Sequence, residues 1–434
     1  MVKRWIVNAL AKAFVGGEAT PDAIADRSAK ALGKRWRWLR PLAVRYLQAM
    51  AADLHPRERE AARFLRADEG FRKASWKHRR KLKIENWLYE PARMEPVAAA
   101  KSWELPRLET AGELANWLEV SVRELEWFAD LKGLGRKKGE ARLRHYSYRV
   151  LRKDAASVRL IEAPKRRLKA VQRRILSGIL ETIPVHDAAH GFRKGRSIQT
   201  FCAPHLGQRV VLKMDLRDFF PAISGARIQG LFRTMGYPEK VADLLGGLCT
   251  HCAPREIWNG VDWERQMLYG RRHLPQGAPT SPALANFCAY HVDCRLSGLA
   301  DAVGARYTRY ADDVVFSGDA AFERCAERFS IQAAAILSEE GFAVQHRKTR
   351  IMRRGVRQHL AGLVVNERLN VRRADFDELK AILTNCGRYG AASQNRLEHP
   401  EFRAHLQGRV AFVASVHVEK GRKLERLFEQ IKWD

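Results

Sequence analysis

The chain is poor in the features that mark secreted, fibrous or membrane-spanning proteins. Cysteine is sparse and odd in number: Cys202, Cys249, Cys252, Cys288, Cys294, Cys325 and Cys386 are the seven among 434 residues. Such scatter fits reduced intracellular thiols and excludes a disulfide framework. Cys249-Thr250-His251-Cys252 has no clear second ligand pair at zinc-site spacing, so structural thiols are expected there. No run of about 18 apolar residues occurs, so no membrane-spanning helix is expected. Lys3, Arg4, Asn8 and Lys12 break up any signal-type apolar core near the start, and a cytoplasmic location is expected. Ser/Gly linkers, low-complexity blocks and repeats are missing too. With 46% hydrophobic residues the chain can fold along its length, in two or three domains.

Acid is the scarce charge. Asp plus Glu number 49 against 78 Lys plus Arg, a formal balance of +29. The basic residues are spread along the chain and not gathered in a tail, which suits a groove that tracks a phosphate backbone.

Residues 1–145 read as a helical extension, with Trp5, Trp36, Trp38, Trp76 and Trp87 spaced as core anchors. Its most basic stretch, Lys77 to Lys83, is either a solvated helix face or an RNA contact. Thr110 with Glu113 and Ser121 with Glu124 are two capping boxes, which predict a short helix pair used for packing. From about Arg149 the pattern becomes mixed. Val158–Ile161 and Val210–Met214 read as strands. Ala305–Tyr310 and Val314–Phe316 flank Asp312-Asp313 and predict a hairpin with the carboxylates at its turn. Helices are expected over 322–340, 373–386, 400–417 and 421–431.

Paired acids at a strand end and an adjoining hairpin carry a definite chemistry. Two divalent cations about 4 Å apart can stabilise in-line displacement at phosphorus, and Mg²⁺ prefers carboxylate oxygens. Asp215, directly after an apolar strand, and Asp312-Asp313 offer such a set. Adjacent acids are costly unless a cation neutralises them.

Tyr310-Ala311-Asp312-Asp313, after Tyr307-Thr308-Arg309, resembles the catalytic turn of reverse transcriptases. Other blocks follow in that family's order: Asp215-Leu216-Arg217-Asp218-Phe219-Phe220, Leu274 to Pro282, and Gly341-Phe342 through Lys348-Thr349. With Arg159–Pro164 and Gly191–Ile198, the likeness spans residues 145–365. It implies an α+β right-hand polymerase, with fingers and palm at 146–365 and a helical thumb at 366–434. It also implies two Mg²⁺ ions held by Asp215, Leu216, Asp312 and Asp313. Arg152, Lys153 and Arg159 would clamp the triphosphate, and Gln276 and Gly277 would approach the incoming nucleotide. Phe220 would exclude a 2′-hydroxyl, and Lys348 would protonate the leaving pyrophosphate.

Arg159-Leu160-Ile161-Glu162-Ala163-Pro164, His190-Gly191-Phe192 and Asp218-Phe219-Phe220-Pro221 are most similar to the bacterial retron type. No endonuclease, RNase H or integrase segment is recognisable. The resemblance implies that a structured non-coding RNA serves as template and primer, that dNTPs are joined into a single-stranded DNA linked to RNA (msDNA), and that the setting is anti-phage defence with an effector or toxin protein as partner. Lys420, Arg422 and Lys423, in an arginine-rich C-terminal region, are the expected readers of that RNA. Two other readings stay open: a bacterial defence-associated reverse transcriptase that makes no msDNA, and a non-catalytic RNA-binding scaffold.

Overall fold

A computed structural model describes residues 3–51, 56–87, 93–134, 144–154, 157–258 and 263–433, without the side chains of 152–154, 157, 158, 263 and 264. The chain forms two compact units: residues 1–102, 107–117 and 232–243 in the first, and 103–106, 118–231 and 244–434 in the second.

The first unit is helical. Helices α1 (Arg4–Val15), α2 (Pro21–Leu32), α3 (Leu39–Ala49), α4 (Glu58–Ala67) and α5 (Glu69–Lys77) bury a shared core. Ile6, Leu10, Phe14, Ile24, Leu42, Tyr46, Leu65 and Phe71 form it, and Phe14 meets Tyr46 edge-on at 4.9 Å. The tryptophans only partly fulfil the expectation that they anchor this core. Trp36 and Trp38 pack against it, whereas Trp5, Trp76 and Trp87 remain 41%, 67% and 46% exposed. The core is filled by Leu, Ile, Phe and Ala at helical spacing, and the other indoles stay outside.

In the second unit, strands β1 (Tyr146–Asp154) and β2 (Ser157–Pro164) form an antiparallel hairpin. Strands β3 (Val210–Asp215), β4 (Arg306–Tyr310), β5 (Asp313–Gly318) and β6 (Arg350–Arg353) form an antiparallel sheet in the order β4-β5-β3-β6. The predicted Asp312-Asp313 hairpin is present as β4–β5. Strand alternation divides the sheet's side chains between two cores. Phe316 meets Phe329 of helix Ala320–Glu339 at 4.8 Å on one face. Val211 and Val315 on the other join a cluster with Leu360, Leu363 and the C-terminal helices Arg373–Tyr389, Phe402–Val416 and Val418–Glu429. Those helices match the expectation, with ends displaced by a few residues. Short strands β7 (His359–Leu360), β8 (Leu363–Val364) and β9 (Asn370–Val371), which sequence reading had not separated, precede them.

The capping boxes differ. Ser121 and Glu124 exchange both bonds at the start of helix Val122–Ala129. Thr110 accepts from the Glu113 amide, but Glu113 itself accepts from the Glu109 amide, so that box is half formed. All seven cysteines are free thiols. At the Cys249–Cys252 segment, the His251 ring stacks on Tyr146 at 4.1 Å, and the Cys252 thiol donates to the Gly270 carbonyl at 3.3 Å.

His205, at the end of the short helix Ala203–His205, packs on β4 and β5 and is fully buried. Its Nδ1 is 2.6 Å from Ser317 Oγ on β5 and its Nε2 is 2.7 Å from Thr308 Oγ1 on β4. Burial, then the charges of Arg306 and His190, bring its pKa down from 6.5 to about 3. The fold thus holds the neutral ring, while the unfolded chain takes up a proton below pH 6.5. Its contribution to stability is complete above that pH and is lost as pH falls from 6.5 towards 3. At 1.36 kcal/mol per unit, about 2 kcal/mol should go between pH 6.5 and 5. Denaturant unfolding of His205→Gln should show lower stability at pH 7.5 and a shallower acid decline than the parent chain. Parallel declines would remove His205 as the cause.

Candidate active site

The acids meet because of strand pairing. Asp215 is the register partner of Asp313 across β3 and β5, and the Leu216 amide donates to the Asp312 carbonyl at 2.9 Å. Asp215, Leu216, Asp312 and Asp313 therefore lie on neighbouring backbone. Lys348 Nζ lies 2.9 and 3.0 Å from the two Asp215 oxygens, and Lys213 Nζ lies 2.8 Å from Asp313. Asp312 is different: burial first, and the charges of Asp313 and Asp215 next, raise its pKa, with Arg159 acting in the opposite direction. Among the described residues, no three Asp, Glu, His or Cys side chains already converge as a metal-ligand cluster. Two of the three carboxylates are instead turned to lysines.

The turn carrying Asp312 is held from behind. Ala311 has φ 55°, a left-handed conformation that costs a non-glycine residue about 1 kcal/mol. Arg309, fully buried, donates to the Ala311 carbonyl at 3.2 Å and to Asn286 Oδ1 at 3.1 Å. It also makes a two-pronged ion pair with buried Asp293, at 2.8 and 2.7 Å. Tyr307 donates to the same carboxylate at 2.6 Å, and Asn286 donates to the Gly191 carbonyl at 2.9 Å. Gly191 must lack a side chain, because a Cβ there would stand 2.7 Å from the Ala311 nitrogen. Sequence reading missed Arg309, Asp293 and Asn286 as parts of the site. Nothing local marked Arg309, which stands in the strand Arg306–Tyr310 among two tyrosines, a threonine and a second arginine.

At the end of β3, Asp218 has φ 47° and starts the one-turn helix Phe219–Ala222. The bend directs Phe219 into the core, beneath the Arg309 guanidinium at 5.9 Å, and leaves Phe220 half-buried. Phe192 lies 6.1 Å from Phe220 and 6.3 Å from Tyr310, ring centre to ring centre. These aromatics form a wall beside the acids, to which Phe192 is an addition that sequence reading did not make.

The Gln276 segment is joined to the β1–β2 hairpin. The Glu162 amide donates to the Gln276 carbonyl at 2.8 Å, and the Glu162 carboxylate bonds His273 at 2.7 Å inside the core. Burial presses the His273 pKa down, but the Glu162 carboxylate outweighs it and the net shift is upward. Gly277 has φ 132°, and a Cβ there would lie 3.0 Å from the Glu162 carbonyl. Arg159 is half-buried on β2 opposite Leu151. Arg152 and Lys153 fall on β1, but their side chains lie outside the described residues. Further on, Arg422 and Lys423 are exposed, whereas Lys420 turns inward, donating to Asn370 Oδ1 at 2.8 Å and lying 4.9 Å above the Phe376 ring.

An antiparallel sheet with acids at the facing ends of β3 and β5 defines the palm of a nucleic-acid polymerase. The family described as reverse transcriptase (RNA-dependent DNA polymerase) matches residues 150–375. The chain is 42% identical over 323 residues to the retron Mx65 reverse transcriptase of Myxococcus xanthus, covering 74% of this chain and 72% of that protein. It is 39% identical over 337 residues to the retron Mx162 reverse transcriptase of the same organism, covering 73% and 66%. With the retron Ec86 reverse transcriptase of Escherichia coli, identity is 30% over 288 residues, covering 65% and 80%. The chain belongs to the reverse transcriptases, RNA-directed DNA polymerases, and within them to the retron type.

Proposed function

We propose that this polymerase copies a structured non-coding RNA into single-stranded DNA that stays joined to RNA, and that it acts in the cytoplasm in anti-phage defence with an effector or toxin protein. The observation that carries the catalytic part is the register pairing of Asp215 with Asp313, with Asp312 tied to the same strand end through Leu216. The donors suit Mg²⁺, since all are hard oxygens, and Asp215, Asp312, Asp313 and the Leu216 carbonyl would hold two ions. Bound there, the ions supply charge stabilisation to the attacking and leaving oxygens. Lys348 and Lys213 stabilise the same carboxylates in this structure, so each must give way or share its acid when cations arrive.

The remaining roles follow from position. Arg159, whose charge reaches Asp312, would meet the triphosphate together with Arg152 and Lys153. Gln276 and Gly277 would bring backbone close to the incoming nucleotide. The Lys348 side chain, beside Asp215, is 53% exposed, which suits proton donation to pyrophosphate. Residues 146–365 would serve as fingers and palm and 366–434 as thumb, with Arg422 and Lys423 presented to RNA and Lys420 holding the thumb together behind them.

Phe220, at the rim of the aromatic wall, would sit under the sugar. Phe220→Ala should raise ribonucleotide incorporation relative to deoxynucleotide by roughly tenfold or more, since about 1.4 kcal/mol of relieved clash suffices for that factor. Single-nucleotide kinetics check it, and an unmoved ratio would assign Phe220 to the core. The whole reading is tested by sequencing nucleic acid that co-purifies with the protein. A short single-stranded DNA joined covalently to a structured RNA is expected. Active enzyme carrying RNA alone would favour a defence-associated reverse transcriptase that makes no msDNA.

A further inference from the structure

The N-terminal helical unit contributes no residue to the chemistry described above, yet it carries a built groove of about 1000 Å³. Helix α5 supplies Arg72, Lys73 and Trp76, whose three- and four-residue spacing puts them on one helix face. Arg79 and Arg80 continue that line past the helix end, and Lys3 comes from the residue that precedes α1. Ile6 and Leu82, both buried, form the apolar floor. Glu69 is the acid in the lining, and it is paired with Lys73 at 3.5 Å.

A solvated basic face accounts for the cations but not for the tryptophan among them. Trp76 keeps 67% of its surface open, and the Arg79 guanidinium stacks over the indole at 4.6 Å. The Arg79 side chain also donates to the Trp76 carbonyl at 3.3 Å, which fixes the pair as one flat cationic and aromatic step. Cations that follow a groove, interrupted by an open aromatic ring, are how proteins bind an unpaired nucleic-acid strand: phosphates pair with the charges and a base stacks on the ring. A duplex keeps its bases stacked on one another and has no use for such a ring. An acidic peptide would be drawn by the charge alone, and an anionic membrane favours a projecting apolar face over a recess.

We propose that this groove is a second nucleic-acid site, built from residues other than those of the polymerase site, which binds an unpaired stretch of the enzyme's RNA with a base on Trp76. The RNA, and not the DNA product, is assigned because it is present before the first nucleotide is joined; the proposal rests in that respect on the function proposed above.

The test uses the full chain with its cleft saturated by an unlabelled RNA–DNA primer–template hybrid. Fluorescence anisotropy then follows a labelled oligoadenylate RNA of about a dozen nucleotides, the scale of a single-strand site. The parent chain should bind it with a salt-dependent affinity. Trp76→Ala should weaken binding roughly tenfold and Trp76→Phe should restore most of it, while the paired Arg79→Glu and Arg80→Glu change should weaken binding and flatten the salt dependence. Melting temperature and primer extension at saturating hybrid should not move in any of these variants. Parent-level RNA binding by the Trp76→Ala chain, or no RNA binding by the parent chain, overturns the proposal. So does tighter binding of the equivalent DNA oligonucleotide, of polyglutamate or of phosphatidylserine vesicles than of RNA. A parent chain without primer extension would remove the polymerase reading instead, which the anisotropy result does not touch.

Discussion

Asp215→Asn or Asp312→Asn should abolish deoxynucleotide incorporation on a primed RNA template while leaving the protein folded. Loss of a carboxylate from a two-cation site withdraws stabilisation from the transferring phosphoryl group, and several kcal/mol in the barrier correspond to about a thousandfold in rate or more. The two variants should differ in stability. Asp215 is paired with Lys348, and Asn at that position gives up an ion pair with one exposed partner, a change worth about 1 kcal/mol at most. Asp312 is half-buried beside two other acids, and this burial with their charges raises its pKa, so its charge is a burden on the fold. Asp312→Asn should therefore melt at the same temperature as the parent chain or higher while losing activity, as expected where function is maintained against stability. Primer extension and thermal melting on the same preparations check both halves. Near-parental extension by either variant would refute the site.

The second large effect is expected one shell behind the acids. Arg309→Ala and Asp293→Ala each leave a bare charge in the core, which costs about 3–5 kcal/mol, enough to unfold a marginal domain. Replacing both, as Arg309→Met with Asp293→Leu, removes the pair without orphaning a charge and should recover most of the stability. Activity should not recover. The Ala311 turn would have lost the guanidinium that accepts its strain, and Phe219 would have lost the charge above its ring. Denaturant unfolding with parallel primer extension separates the two roles. A stable double variant with parental kcat would reduce the Arg309–Asp293 pair to a core contact.

What the sequence disclosed, and what it withheld, follow one physical division. Val210–Met214 and Val314–Phe316 could be read because a buried strand writes itself as a local apolar run. The acids could be located because their chemistry needs strand ends. Arg309 gave no comparable signal: its partner Asp293 lies 16 residues earlier on a different element, and only the packed fold brings them together. The Glu162–His273 pair spans 111 residues and was equally silent. Tryptophan identity misled at Trp5, Trp76 and Trp87, because an indole is as ready to serve a surface as a core. The inward turn of Lys420 was not legible either, since a lysine among surface arginines can lay its stem over Phe376 and place its ammonium on Asn370.

The bond between Glu162 and the Gln276 segment also ties the root of the β1–β2 hairpin to a loop far along the chain. At its base the β1–β2 hairpin shares the buried Glu162–His273 hydrogen bond and a backbone bond with the Gln276 loop, so hairpin root and loop form a single mount. Arg152, Lys153 and Arg159 lie on the part of the hairpin beyond that mount.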